Sequence, residues 1–378
     1  MSFKPTKELW CATLYKVLHK ALGMKRPHAT AGTAAFSAWL QTKFPANTWH
    51  VDGAGNMHVD LRGDPTIHRT LFVAHVDTVH KTTGKNVYTW ADSKSLAQQC
   101  LTTITAKGDV LGADDGAGVA LLMHMMSHGI PAYYLFTQGE ERGGIGAKFA
   151  AKNYGKVLVE MDRAIAFDRR GTDSVISYQG FSRCCSDTFG DALARELNDN
   201  GDNFFYSVDP TGVYTDTAEF VDIIPECTNI SVGYYAEHSD RESLDIYHFI
   251  SLSNAVLLVD WDNLPTERDP LVPDPLEATS VSSAYGDWRS AFAWDRDDEE
   301  MARDYLIDAI YDAQVGITDD LIDLMCESVY PENPQFAARF VNPKLLTEEM
   351  LEEALTHART YDTDTVLCML FDAVHCEV

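Results

Sequence analysis

The sequence predicts an α/β protein: a mostly parallel, mixed sheet flanked by helices, with an acidic, mainly helical region after it. Three observations lead there. Apolar, β-rich runs alternate with helix-like segments as far as about residue 263, the pattern of strand–helix units rather than of an all-β or all-α chain. The runs end in small or charged residues, and open sheets of this class place their chemistry beyond the carboxyl ends of their strands. With 378 residues, 45% of them hydrophobic, the chain can build a full core and two domains.

Taken in order, "MSFKPTKELWCATLYKVL" is polar and then amphipathic. It lacks the basic start, apolar centre and small-residue cleavage site of an export signal. Cysteines at 11, 100, 184, 185, 227, 326, 368 and 376 form neither a dense disulfide framework nor a CxxC pair, so a reduced, cytoplasmic protein is expected. Residues 49–63, "WHVDGAGNMHVDLRG", read as an antiparallel hairpin about a Gly-Asn turn. Strands are expected at 70–78 ("TLFVAHVDT"), 132–138 ("AYYLFTQ"), 163–168 ("RAIAFD") and 227–235 ("CTNISVGYY"). Helices are expected between them at 117–129, 144–155 and 182–200, and a long one follows at 244–263.

Four prolines in "PTERDPLVPDP" mark a boundary. This divides the chain into a domain at 1–263, a proline-rich linker at 264–275 and a C-terminal region at 276–378. In that region Met301, Tyr305, Ile307, Ile310 and Tyr311 fall near helical spacing, and Thr318 and Thr347 each precede an acidic first turn as helix caps do. Of the net charge of -27, the residues from Leu264 onward carry -19. Such a field repels nucleic acid and anionic membranes, and no stretch reaches the length of a membrane span. A solvated helical surface accounts for the acidic segment; contact with a basic partner or with a second copy of the chain is the alternative.

Five places along the chain look chemical. His75 and Asp77 lie two apart where an apolar run ends, so on a strand they share a face. An imidazole held by a carboxylate is a good metal ligand, although a hydrogen-bonded pair at a strand end uses the same residues. In "LGADDGAGVALLMHMM", Asp114 and Asp115 sit among glycines just before an apolar helix, where its dipole and free amides favour negative charge. A plain capping role for Asp115 is the alternative. Glu140 and Glu141 follow an apolar strand and a glycine, a costly place for two charges unless water or a cation meets them. Asp168 closes one strand and His238 follows another.

At this point "HVDTV", "GADDGAG", "GEERGG", "AFDRRG" and "GYYAEHSDRE" resemble, in order, the metal motifs of the di-zinc exopeptidases and related amidohydrolases. That clan contains leucyl aminopeptidases, peptidase T and acetylornithine deacetylase. The resemblance spans about residues 12–263. It implies two divalent cations, Zn2+ with Co2+ or Mn2+ as alternatives. His75 and Asp168 would serve one, Glu141 and His238 the other, and Asp114 would bridge them. Asp77 would orient His75, and Glu140 would be the general base. The implied fold is zinc-exopeptidase-like, but only 69 residues separate Asp168 from His238, too few for the clan's usual lid domain. The implied activity is hydrolysis of a peptide or small amide, with aminopeptidase action favoured because the lid is missing. A dipeptidase, an N-acyl amino-acid deacylase and a noncatalytic metal-stabilised interaction module are the alternatives.

Arg169, Arg170, Glu219, Tyr234 and Tyr235 are further candidates for touching substrate. His124 and His128, four apart on one helix, lack an HExxH context and read as core or surface residues. Cys184 and Cys185 have no base nearby in sequence and read as buried.

Overall fold

The four residues 71–74 are buried without interruption, and the reason is that both faces of their strand are covered. Phe72 and Ala74 pack with helices Ala12–Leu22 and Ala113–Ser127, whereas Leu71 and Val73 pack with Ala147, Ala150 and Phe220 on the opposite face. Alternate side chains thus enter two separate cores. The computed structural model describes residues 12–92, 102–179 and 182–272, together with isolated positions between 310 and 370. The chain divides into two compact units, Met1–Asp274 and Pro275–Val378.

The first unit is built on an eight-stranded mixed sheet. Its order is Ser207–Asp209, Ser174–Ile176, Glu226–Ser231, Arg163–Arg169, Thr70–His75, Tyr133–Thr137, Met57–Asp60 and His50–Val51. The four strands starting at Glu226, Arg163, Thr70 and Tyr133 run parallel, and antiparallel pairings flank them on each side. The hairpin expected at 49–63 supplies one edge, with His50 opposite His58. Between Asp168 and His238, Ser174–Ile176 and Ser207–Asp209 join this sheet, and helix Asp187–Asn200 packs in its core. The described residues of that interval form no lid.

Several elements depart from the sequence reading. The helix expected at 182–200 begins at Asp187, because Ser186 caps the Phe189 N–H at 3.2 Å and Ser182–Arg183 forms a short ladder with Tyr178–Gln179. The run at 227–235 is two strands. Glu226–Ser231 stays in the main sheet, and the chain turns at Gly233 (φ 99°) so that Tyr234–Tyr235 joins a second, four-stranded sheet. The long helix at 244–263 is shorter, Ile246–Ala255, preceded by strand Ser243–Asp245. Asp245 caps its start, and the Trp261 indole N–H folds back onto the Val256 carbonyl at 3.0 Å. The second sheet also contains Tyr88–Asp92 and Thr102–Ala106, which the sequence reading left unassigned.

The segment after Trp261 is pinned to this unit. Arg163 donates to the carbonyls of Trp261 and Leu264, and buried Glu226 accepts from the amides of Glu267 and Arg268. In the second unit, Ile310, Leu321, Met325, Leu351, Ala354, Val366, Leu367 and Leu370 are helical and buried. Thr347 accepts the Met350 N–H at 3.3 Å, the cap bond its sequence suggests. The Thr318 cap and most of 276–378 lie outside the described residues.

One buried histidine ties fold stability to pH. Tyr206 gives its single hydroxyl proton to the Ser231 carbonyl at 2.6 Å, so His248 Nε2–H donates to the Tyr206 oxygen at 2.9 Å. Burial depresses the His248 pKa from 6.5 to about 4. Between those values the unfolded chain holds a proton that the folded chain does not. The contribution of neutral His248 is therefore complete above pH 6.5 and is lost as pH falls toward 4, by up to about 3 kcal/mol. Urea unfolding at pH 7 and pH 5 should show a drop in stability that is smaller in His248→Gln. An equal drop in both proteins would reject the assignment.

Candidate metal centre

The centre forms at the carboxyl ends of the four parallel strands. His75 is the last residue of its strand and lies in register with Thr137, so the turn after Thr137 opens beside it. That turn, with Gly139 at φ 75°, carries Glu140 and Glu141. Asp168 lies near the end of the neighbouring strand, whose Asp168 N–H and carbonyl are both held by the Asn229 side chain. Asp114 belongs to the turn that opens helix Ala113–Ser127, and His238 belongs to the loop after Tyr234–Tyr235. Ala236 and His238 take φ values of 52° and 62°, left-handed backbone that is rare outside glycine and tends to collect at functional sites.

Asp114 faces both histidines. Its Oδ1 lies 2.9 Å from His75 Nε2 and its Oδ2 lies 3.1 Å from His238 Nε2. Asp168 Oδ1 is 3.5 Å and Glu140 Oε2 3.9 Å from the same His75 nitrogen, while Glu141 Oε2 is 3.0 Å from His238 Nε2. The two glutamates are consecutive yet face different parts of the centre. Among the described residues, three groupings are compact enough to hold a cation: His75–Glu140–Glu141, His75–Asp115–Asp168 and Asp114–Glu141–His238.

Asp77 touches His75 chiefly through its backbone. Its carbonyl is 3.2 Å from His75 Nδ1 and its Oδ1 is 3.8 Å away. The same Oδ1 accepts the Gly139 N–H at 2.7 Å, so Asp77 ties the histidine strand to the glutamate turn. The preference of His75 Nδ1 for Asp77 leaves Nε2 to face the carboxylates. Asp115 has both oxygens engaged, by the His75 and Gly118 amides at 3.1 and 2.8 Å. It caps the regular part of the helix, as the plainer sequence reading allowed. A Cβ at Gly118 would stand 2.3 Å from that carboxylate and 2.6 Å from the Phe167 carbonyl, which explains the glycine.

The centre gathers buried carboxylates around its two imidazoles. Burial, reinforced by the Asp168, Asp216 and Glu141 charges, pushes Glu140 well above the usual carboxylate range; burial and Asp114 raise both Glu141 and Asp168. Burial works against a charged ring at His75 and His238, yet the surrounding carboxylates win and push His238 up to about 12. Buried Glu141 Oε1 has no hydrogen-bond partner. Carboxylates this crowded stay ionised together only beside positive charge. The donor set of imidazole and carboxylate suits Zn2+ and also accommodates Co2+ or Mn2+.

The other sequence candidates lie as follows. Arg169 donates to Thr211 and lies 3.6 Å from Asp209, while Arg170 lies 3.6 Å from Glu237. Tyr234 is buried and donates to Asp168 Oδ1 at 3.2 Å, whereas Tyr235 is 43% exposed. Glu219 accepts from Tyr214 at 2.9 Å. His124 is buried, and Cys184 and Cys185 are buried and free. His80, which shares the His75 segment, is bonded to Thr78 and to the Val110 carbonyl.

Sequence reasoning gave no role to four residues that shape the centre. Thr215 donates to Asp168 Oδ2 at 2.7 Å, and buried Asp216 accepts from Thr137. Arg26 is wholly buried and donates to the carbonyls of Val76, Ala21 and Gly112. Glu242 accepts backbone N–H groups from the Asp114 turn. Glu242 closes the motif "GYYAEHSDRE" and Asp216 lies in "YTDTAEF", but neither carried a role there, and Arg26 sits in the short basic run "MKRPH".

No protein-family model matches the chain, and no curated protein is similar to it in sequence. Its fold does match solved structures. Aminopeptidase PepT from Bacillus cereus ATCC 10987 superposes with a TM-score of 0.51 at 14% identity, over 66% of this chain and 97% of that one. A tripeptidase from Staphylococcus aureus subsp. aureus Mu50 gives a TM-score of 0.50 at 15% identity, over 65% of this chain and 96% of that one. The chain therefore shares the α/β fold of these two peptidase structures over about two thirds of its length.

Proposed function

We propose that the chain is a metal-dependent hydrolase that cleaves a peptide or small amide, with aminopeptidase action as the leading form. The observation that carries this reading is Asp114, one carboxylate whose two oxygens lie 2.9 and 3.1 Å from two different imidazoles. That is the arrangement expected of a ligand shared by two cations. His75 and Asp168 would hold one and Glu141 and His238 the other. When bound, two divalent cations polarise a substrate carbonyl and lower the pKa of the attacking water.

The protein groups do the rest. In this reading Glu140, whose Oε2 lies 3.9 Å from His75 Nε2, is left free of the cations. Its Oε2 accepts the proton of the attacking water and delivers it to the amine nitrogen as the carbon–nitrogen bond breaks. Asp77 fixes both the His75 ring and the turn that carries Glu140. Tyr234 and Thr215 hold the two oxygens of Asp168 in place, at 3.2 and 2.7 Å.

A panel of aminoacyl, dipeptide and N-acetyl amino-acid substrates, assayed with added Zn2+ and after chelation, tests the proposal. Hydrolysis of free-amine substrates that chelation abolishes and metal restores is the expected result. Preference for dipeptides or N-acetyl substrates would redirect the assignment to dipeptidase or deacylase. Metal uptake with no turnover across the panel would favour a noncatalytic role.

A further inference from the structure

Glu242 is a fully buried carboxylate that forms no ion pair among the described residues. Its partners are three consecutive backbone amides: Oε2 accepts the Gly112 N–H at 2.9 Å, and Oε1 accepts those of Ala113 and Asp114 at 2.7 and 3.1 Å. The first of these residues turns with φ 72°, and the third is the aspartate that faces both histidines. Glu242 stands four positions after His238, at the end of the same loop. That loop is tied to itself, since Ser239 donates to the Ala236 carbonyl at 2.7 Å and Glu242 N–H donates to Ser239. Beyond Glu242 the chain enters strand Ser243–Asp245, paired with Thr102–Ala106.

One side chain thus joins the His238 loop to the Asp114 turn across 128 residues of sequence. On the far side of the turn, Arg26 donates to the Gly112 carbonyl at 3.3 Å and is anchored to the Val76 carbonyl at 2.8 Å. The turn is held by an anion on its amides and a cation on its carbonyl, which fixes its rotation. That rotation decides whether the two Asp114 oxygens face His75 and His238 together.

We propose that Glu242 is a positioning residue: it sets the orientation of Asp114 relative to His238 and so makes the centre able to hold two cations. The inference rests on the metal reading given above. A glutamine at 242 would keep the shape but set an NH2 group against a backbone N–H, while an aspartate would keep the charge but fall short of the three amides. Glu226 supplies the control. It too is a fully buried carboxylate, bonded to the amides of Ser186, Glu267 and Arg268, and it has no contact with the centre.

Zn2+ affinity, measured by competition with a chromophoric chelator, and the visible spectrum of the Co2+-loaded protein test the proposal on the full chain. Glu242→Gln should weaken binding of the more loosely held Zn2+ by about 10–100-fold and alter the Co2+ spectrum. Glu242→Asp should lose less. Glu226→Gln should lower the melting temperature while leaving both metal readouts at wild-type values. If Glu242→Gln fails to fold, the Glu242→Asp loss, set against unaltered Glu226→Gln, carries the test. Wild-type affinity and spectrum in both Glu242 variants, or an equal loss in Glu226→Gln, would overturn the assignment. A wild-type chain that takes up no metal would overturn the hydrolase proposal and this one with it.

Discussion

Replacing Glu140 by glutamine should reduce kcat by about 10²–10⁴-fold, the range lost with a general base, while both metal positions stay filled. Glutamine has the same shape but cannot take a proton from water at neutral pH. The neighbouring residue sharpens the test. Glu141 lies 3.0 Å from His238 Nε2, whereas Glu140 lies 3.9 Å from His75 Nε2. Glu141→Gln should therefore lose metal along with activity. Metal content and kcat measured on the two variants separate the roles, and this matters because His75, Glu140 and Glu141 also form one of the compact ligand groupings. Loss of metal from Glu140→Gln would make Glu140 a ligand, and retention of a tenth or more of wild-type kcat would remove it from proton transfer.

Asp114→Asn should produce the second large effect, a fall from two bound cations to one. Asparagine keeps one oxygen and replaces the other with an amide nitrogen that cannot ligate. The single oxygen can serve the His75 side or the His238 side, and the amide then opposes a cation on the other. Because groups that merely support a ligand are worth about 10–100-fold in metal affinity, loss of a direct one should exceed that. Metal content after equilibrium dialysis should show two equivalents in the wild type and one in Asp114→Asn, with turnover lost alongside. Two equivalents held at wild-type affinity would mean that Asp114 does not bridge.

The parallel core was legible because burial on both faces demands uninterrupted apolar runs, which "TLFVAH" and "YYLFT" show plainly. Their polar ends then stood out, and His75, Asp114, Glu140, Glu141, Asp168 and His238 do come together in space. The second sheet was not legible. Thr102–Ala106 carries a single large apolar residue, Ile104, among threonines and an alanine, and one such residue does not set up an alternation that separates strand from loop. The break within 227–235 depends on one glycine whose positive φ redirects the chain, and an apolar run gives no sign of where it changes sheets. Glu242 and Asp216 gained no role from the sequence for a different reason. Their partners are backbone amides or a threonine hydroxyl supplied by distant segments, and such bonds leave no local spacing to read.

The backbone of the 236–238 loop sets the two halves of the centre apart in permanence. His75 sits at the end of an interior strand with 1% of its side chain open to solvent, whereas His238 is 41% open and stands on left-handed backbone. Such conformations cost about 1–3 kcal/mol each and persist only where their surroundings enforce them. If that loop relaxed against its hydrogen bonds, His238 would be withdrawn while the strands stayed in place. An ion on the His238 side would therefore exchange readily with the medium, and the half around His75 would behave as a resident fixture. Catalytic competence would then follow the ambient supply of the labile ion rather than the amount of folded protein.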